Sequence, residues 1–124
     1  MSEVFQSAGA QQVIAYAREK YQDELQFLWQ RFPKNAILRR QDNDKWYAAL
    51  LVLEKRKLGL NEDGLVDIID LRGDPEAIRA LVDGKRYFPG FHMNKKHWYT
   101  MCLDGSVPVE EVFARLDESY LLAR

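Results

Sequence analysis

Pro89-Gly90-Phe91-His92-Met93-Asn94-Lys95-Lys96-His97-Trp98 runs directly into Tyr99-Thr100-Met101-Cys102-Leu103. Two backbone breakers open the segment, polar and basic residues fill its middle, and an apolar run closes it. That pattern reads as a loop feeding a strand over residues 97–103. Asp104-Gly105 ends the strand, and Pro108 starts a helix whose Val109, Val112, Phe113, Leu116, Tyr120 and Leu121 keep the 3.6-residue period. Upstream, Asp74-Pro75-Glu76 opens a short helix with Ile78, Leu81 and Val82 as its buried stripe. Asp74 suits the cap, Pro75 the first helical position and Gly84 the exit. Asn61-Glu62-Asp63-Gly64 turns into a strand over residues 65–71, and the runs 36–40 and 46–53 flank Asp42-Asn43-Asp44 as a hairpin. Residues 25–32, aromatic and aliphatic up to Pro33, read as a further strand. Ala10, Val13, Ile14, Ala17 and Tyr21 form a helical stripe over residues 8–22. Helix, strands, short helix, strand, helix is the order of an α+β two-layer sandwich with a mainly antiparallel sheet.

The chain has 124 residues, 47% apolar and 30% charged, which suits one soluble domain. Folding at this size buries roughly two-thirds of the unfolded surface, enough for a core without staples. A single cysteine, Cys102, excludes an internal disulfide and fits a reducing, cytoplasmic compartment. Met1-Ser2-Glu3-Val4-Phe5 lacks the basic and apolar regions of an export signal, and no apolar run approaches the ~18 residues of a membrane helix. With 18 Lys+Arg against 19 Asp+Glu the net charge is −1. The sequence pI is about 6.1, which excludes wrapping nucleic acid by bulk charge.

The neutrality is a sum of unequal parts. Residues 84–103 hold Lys85, Arg86, Lys95 and Lys96 and no acid, or +4, while the rest of the chain carries 14 bases and 19 acids, or −5. His92, His97 and five aromatic rings share that window. Cations interleaved with rings suit a polyanion, since Lys and Arg neutralise phosphate and rings stack on bases. Asn94 adds a side chain able to pair with adenine. A core strand flanked by a solvated basic turn has the same composition, and both readings stand at this level. Arg39 and Arg40, with Lys45 across the hairpin turn, place three more cations on one β-ribbon. Lys55-Arg56-Lys57 reads as a solubilised strand end.

The decapeptide from Pro89 to Trp98 resembles the signature of the MmcQ/YjbR family of small bacterial proteins. Lys45-Trp46-Tyr47-Ala48 is similar to the family's Lys-x-aromatic-Ala strand start. Leu116-Asp117-Glu118-Ser119-Tyr120 resembles its closing Asp-x-Ser-Tyr helix. Pro33-Lys34-Asn35 departs from the family's Pro-x-Gly turn. The resemblance implies a frataxin/CyaY-like sandwich with the N- and C-terminal helices on one sheet face. It also implies a "double-wing" DNA-binding domain, with one wing at residues 39–45. Its most distinctive surface would be His92, Asn94, Lys95, Lys96 and His97, with Trp98 as the packed anchor.

Catalysis finds little support. Two histidines and one cysteine fall short of a metal ligand set, Cys102 between Met101 and Leu103 reads as a buried inert thiol, and no Gly-rich phosphate loop occurs. The acid pairs Asp67/Asp70, Glu110/Glu111 and Asp117/Glu118 do not read as a general acid–base pair. The expectation is a monomeric, cytoplasmic, non-catalytic domain without a cofactor. It would bind DNA weakly through Lys85, Arg86, His92, Asn94, Lys95, Lys96 and His97, with Arg39, Arg40 and Lys45 contributing. The alternative is a module for an anionic small molecule or an acidic protein partner, using the same cluster with Phe91 and Trp98 as walls.

Overall fold

The computed structural model describes residues 4–124, so Met1–Glu3, read above for an export signal, lie outside the described residues. Its elements are α1 (Ala8–Tyr21), β1 (Asn35–Arg39), β2 (Trp46–Glu54), a single 3₁₀ turn (Lys55–Leu58), β3 (Leu65–Arg72), α2 (Pro75–Leu81), β4 (Tyr87–Pro89), β5 (Trp98–Cys102) and α3 (Val109–Leu122). The five strands form one open sheet in the order β1-β2-β3-β5-β4. Every neighbouring pair is antiparallel, and no helix among the described residues is long and apolar enough to cross a membrane.

The alternation of side chains along β3 divides the molecule into two cores. Ile69 and Leu71 face α1 and α3 and join Val13, Ile14, Leu50, Met101 and Leu116 in the larger core. Val66 and Ile68 face the other way and join Ile37, Ala49, Leu51, Phe88 and Cys102. Phe91, Met93 and Trp46 pack over this second face, so the sheet is covered on both sides. The apolar run through β3 is the sequence trace of that double burial.

Both terminal helices are fixed by named bonds. Ser7 caps α1 by accepting from the Ala10 N–H at 3.1 Å. Asp67, on the helix side of β3, accepts from the Ser7 N–H at 3.1 Å. Glu110 and Glu111 in the first turn of α3 complement its dipole. The closing Asp-Glu-Ser-Tyr is a docking motif. Asp117 accepts from Tyr21 at 2.5 Å, Tyr16 at 2.7 Å and Lys20 at 2.9 Å. Burial opposes ionisation of Asp117, but these three donors outweigh it and hold the carboxyl below its usual range. Tyr120 stacks on Tyr21 with ring centroids 3.8 Å apart. Ser119, fully buried, donates to the Tyr47 carbonyl at 2.5 Å and accepts from the Arg72 N–H at 2.8 Å. Ser119→Ala leaves that buried carbonyl and N–H without partners, and a loss of about 1–3 kcal/mol is expected in urea unfolding. A change below a few tenths would show that water replaces the hydroxyl.

The structure departs from the sequence reading at several elements. Residues 25–32 are not a strand. Gln26 alone pairs with Ile37, through two bonds of 2.9 Å, before the chain turns away. The rings that suggested a strand find partners off the ladder: Phe27 stacks with Phe5 at 6.3 Å and Trp29 meets Trp46 edge-on at 5.7 Å. Strand β4 was not expected. The Asp83 carboxylate gathers the N–H groups of Lys85, Arg86 and Tyr87 and launches this three-residue strand. Asp74 does not cap α2 through its side chain, and the helix ends at Val82, with Gly84 serving the next turn at φ +72°. Of the expected stripe on α2 only Ile78 is buried. Leu121 on α3 is exposed, and β5 is one residue shorter at each end than residues 97–103.

Candidate functional site

The basic residues singled out in the sequence fall at three places. His92, Asn94, Lys95, Lys96 and His97 all lie on the loop joining β4 to β5 and are exposed. Asn94 is structural, because its side-chain oxygen accepts from the Lys96 N–H at 2.9 Å and its carbonyl from the Trp98 N–H at 3.0 Å. Lys95 folds back and donates to the Gly90 carbonyl at 2.9 Å. Lys85 and Arg86 sit at the opposite end of the β4–β5 hairpin, where Arg86 donates to the Ser106 carbonyl at 3.1 Å and faces Glu111 at 3.7 Å. Arg39, Arg40 and Lys45 belong to the β1–β2 hairpin at the other sheet edge. There Arg40 is held by Asp42 at 2.8 Å and by the Tyr120 carbonyl, and Lys45 reaches the Arg124 carbonyl at 3.4 Å. The ten residues do not converge on one face.

The loop itself is built tightly onto the sheet. Gly90 is required where it crosses Trp98, since a Cβ there would stand 2.8 Å from the Trp98 carbonyl oxygen and 2.9 Å from its Cβ. Gly90→Ala is expected to cost about 1–3 kcal/mol by overpacking and to shift the amide resonances of Phe91 and Met93. An unchanged spectrum would show that the crossing has slack. His92 adopts φ +60°, a left-handed conformation uncommon outside glycine, with its ring 4.1 Å from that of Phe91. Trp98 is buried, and the Arg72 guanidinium lies 4.8 Å from its ring.

Beneath this loop lies a cavity of about 310 Å³ on the sheet face away from the terminal helices. Trp29, Phe32, Trp46, Phe91 and Met93 supply its apolar walls, while Asn35, His92 and Asp70 supply its polar groups. Asp70 is the unusual member. It is wholly buried on the central strand β3. One carboxylate oxygen accepts from the Thr100 hydroxyl, which itself accepts from the Phe91 N–H at 2.9 Å, so the loop is wired to the carboxyl through Thr100. The other oxygen, Oδ2, is buried and has no hydrogen-bond partner among the described residues. Burial pushes the Asp70 pKa up to about 7; the Thr100 hydroxyl, the Phe91 N–H and the Lys95 charge pull the other way. Burial likewise raises the Cys102 thiol to about 11, which makes it a poor nucleophile.

The sequence reading missed this site in an instructive way. Of the walls that the alternative reading needs, Phe91 is one, while Trp98 is buried beside Arg72, in keeping with the packed anchor that the resemblance implies. Asp67 and Asp70, a pair in the sequence, lie on opposite faces of β3, and Asp67 accepts from the Ser7 N–H at 3.1 Å. Two acids in the run Val66-Asp67-Ile68-Ile69-Asp70-Leu71 were the available signal, since a strand apolar on both faces must bury at least one of them. A wider, more open hollow of about 700 Å³ lies beside Val4, Ser7, Lys34 and Asp67, and its buried carboxyl, Asp67, already has that donor. Among the described residues no three His, Cys, Asp or Glu side chains come together as a metal site would require.

Residues 18–122 match the family model described as YjbR. The chain belongs to the YjbR family. Its similarity to the Bacillus subtilis protein YyaQ is 32% identity over 112 residues, spanning 90% of this chain and 95% of that one. Against YjbR of Escherichia coli K12 the identity is 47%, over 32 residues and 26% of this chain. Among solved structures, a Pseudomonas syringae protein superposes with a TM-score of 0.88 at 40% identity, covering 92% of this chain and 97% of that one. A Deinococcus radiodurans protein described as a DUF419 domain superposes with a TM-score of 0.70 at 25% identity, covering 98% of this chain and 81% of that one. The YjbR match therefore takes in the loop, the buried carboxyl and the α3 docking motif together.

Proposed function

We propose that this YjbR-family chain is a small-ligand binding module whose ligand occupies the cavity between the sheet and the β4–β5 loop. The observation that carries this reading is the ring-lined cavity with the buried Asp70 carboxyl in its lining, one oxygen of which has no hydrogen-bond partner among the described residues. Ligand sites combine apolar walls with a few placed polar groups, and a buried polar atom without a partner calls for one, from a water, an ion or a ligand. The reading assigns no reaction. An anionic ligand suits the cavity poorly because its charged group is a carboxyl, so an anion would have to use the outer side of the loop. The test is amide chemical-shift mapping with a fragment library. Shifts clustered on Ala49, Leu51, Asp70, Phe91 and Met93 are expected. Fragments that leave these amides unmoved would count against the cavity.

Weak DNA binding is the second reading, favoured by Lys96 and His97, which are exposed on an acid-free loop. It predicts binding at low salt that weakens in Lys96→Glu, with a slope of at most about −0.9 per phosphate contacted. Equal affinity in Lys96→Glu and wild type would sink it.

A further inference from the structure

Asp70 Oδ2 is buried without a hydrogen-bond partner among the described residues, which limits what the cavity can hold. A carboxylate taken out of water loses several kcal/mol of hydration unless a cation or strong donors replace it. Two cations near Asp70, Arg72 and Lys95, are already engaged. Arg72, two residues along the same strand face, donates to the Trp46 carbonyl at 2.5 Å and lies over the Trp98 ring. Lys95, on the loop above, is held by the Gly90 carbonyl at 2.9 Å. Thr100 from β5 serves only Oδ1. The β2 residues facing the cavity, Ala49 and Leu51, bring no charge, and the remaining polar groups there are the Asn35 amide and the His92 imidazole. The walls point to the same partner. Trp29 and Trp46, edge-on at 5.7 Å, and Phe91 present π surfaces that attract cations and repel anions.

We infer that the cavity takes a small aromatic amine, with its protonated nitrogen on Asp70 Oδ2 and its ring among Trp29, Trp46 and Phe91. This rests on the cavity reading above and adds the charge and shape of the ligand. A volume of about 310 Å³ admits a single- or double-ring molecule with a short side chain and excludes a nucleotide chain. A neutral hydroxyl would satisfy Oδ2 but would not offset the buried charge, and a carboxylate would repel it.

The test is calorimetry on the full chain with three probes of one shape: tryptamine, indole-3-ethanol and indole-3-acetate. Tryptamine is expected to bind most tightly at pH 8, with an advantage of about tenfold or more over the alcohol. Its affinity should rise about tenfold from pH 6 to pH 8 as Asp70 ionises. Asp70→Asn, checked for folding by circular dichroism, should lose both the amine preference and the pH dependence. Because His92 remains in that variant, a surviving pH dependence would assign it to the imidazole and overturn the role of Asp70. If Asp70→Asn does not fold, the ranking of the three probes and the wild-type pH profile decide. Equal affinity for amine and alcohol, or preference for the acid, overturns the inference while leaving the cavity reading intact. Binding of none of the three, with no cavity amide moved, removes both.

Discussion

Asp70→Asn is expected to be more stable than wild type at pH 8 and indistinguishable from it near pH 4. The sign follows from proton linkage. Asp70 has a folded pKa of about 7 against a usual 3.8, so between those values the folded chain holds a proton that the unfolded chain has released. Stability from this group is fully present below about pH 4 and is lost as pH rises through 7. The gap corresponds to on the order of 4 kcal/mol, a large share of the stability of a domain this size. Asn is nearly isosteric with the protonated acid and cannot ionise, so it removes the loss. Carboxyls such as Asp117 and Asp83, held below the usual range, give wild type the opposite slope. The difference between the two proteins, measured by urea unfolding at each pH, therefore isolates Asp70. Parallel stability curves from pH 4 to pH 8 would show that the carboxyl finds water or a donor in the folded state.

Phe88→Ala is the second large effect, expected to cost about 3–5 kcal/mol. Phe88 is 1% exposed on the edge strand β4, and it belongs to the cluster with Ile37, Ile68 and Cys102 under the loop. A three-residue edge strand has few ladder bonds of its own, so this side chain does much to hold it and the loop that follows. Loss of Phe88 should therefore also move the amides of Phe91 and Met93, whereas Leu116→Ala in the helix-side core should destabilise comparably without moving them. A cost below about 1 kcal/mol would mean that the second sheet face is not a packed core.

Much of this architecture was legible because it rests on periodicity. The α1 and α3 stripes, the β1–β2 hairpin around Asp42-Asn43-Asp44 and the strand after Gly64 all emerge at their places, because local pattern and tertiary burial agree there. Residues 25–32 misled because aromatic content signals neither pairing nor burial: Phe27, Trp29 and Phe32 are exposed, and Trp29 and Phe32 wall an open cavity. β4 was invisible because three residues carry no period, and only the Asp83 turn marks its start. The charge asymmetry of +4 in residues 84–103 was real in composition and dispersed in space. Glu111, 3.7 Å from Arg86, comes from α3, and Lys95 is held by a backbone carbonyl. Sequence counts cannot register such pairings. Asp70 was in plain view as an acid in an apolar strand, but only the register with Ala49 and Thr100 reveals which face it takes.

The most direct measurement is a crystal structure of the protein grown with tryptamine. The expected result is the ammonium nitrogen about 2.7–2.9 Å from Asp70 Oδ2 with the indole enclosed by Trp29, Trp46 and Phe91. Density confined to the outer side of residues 92–97, or an indole in the cavity with its amine turned away from Asp70, would contradict it.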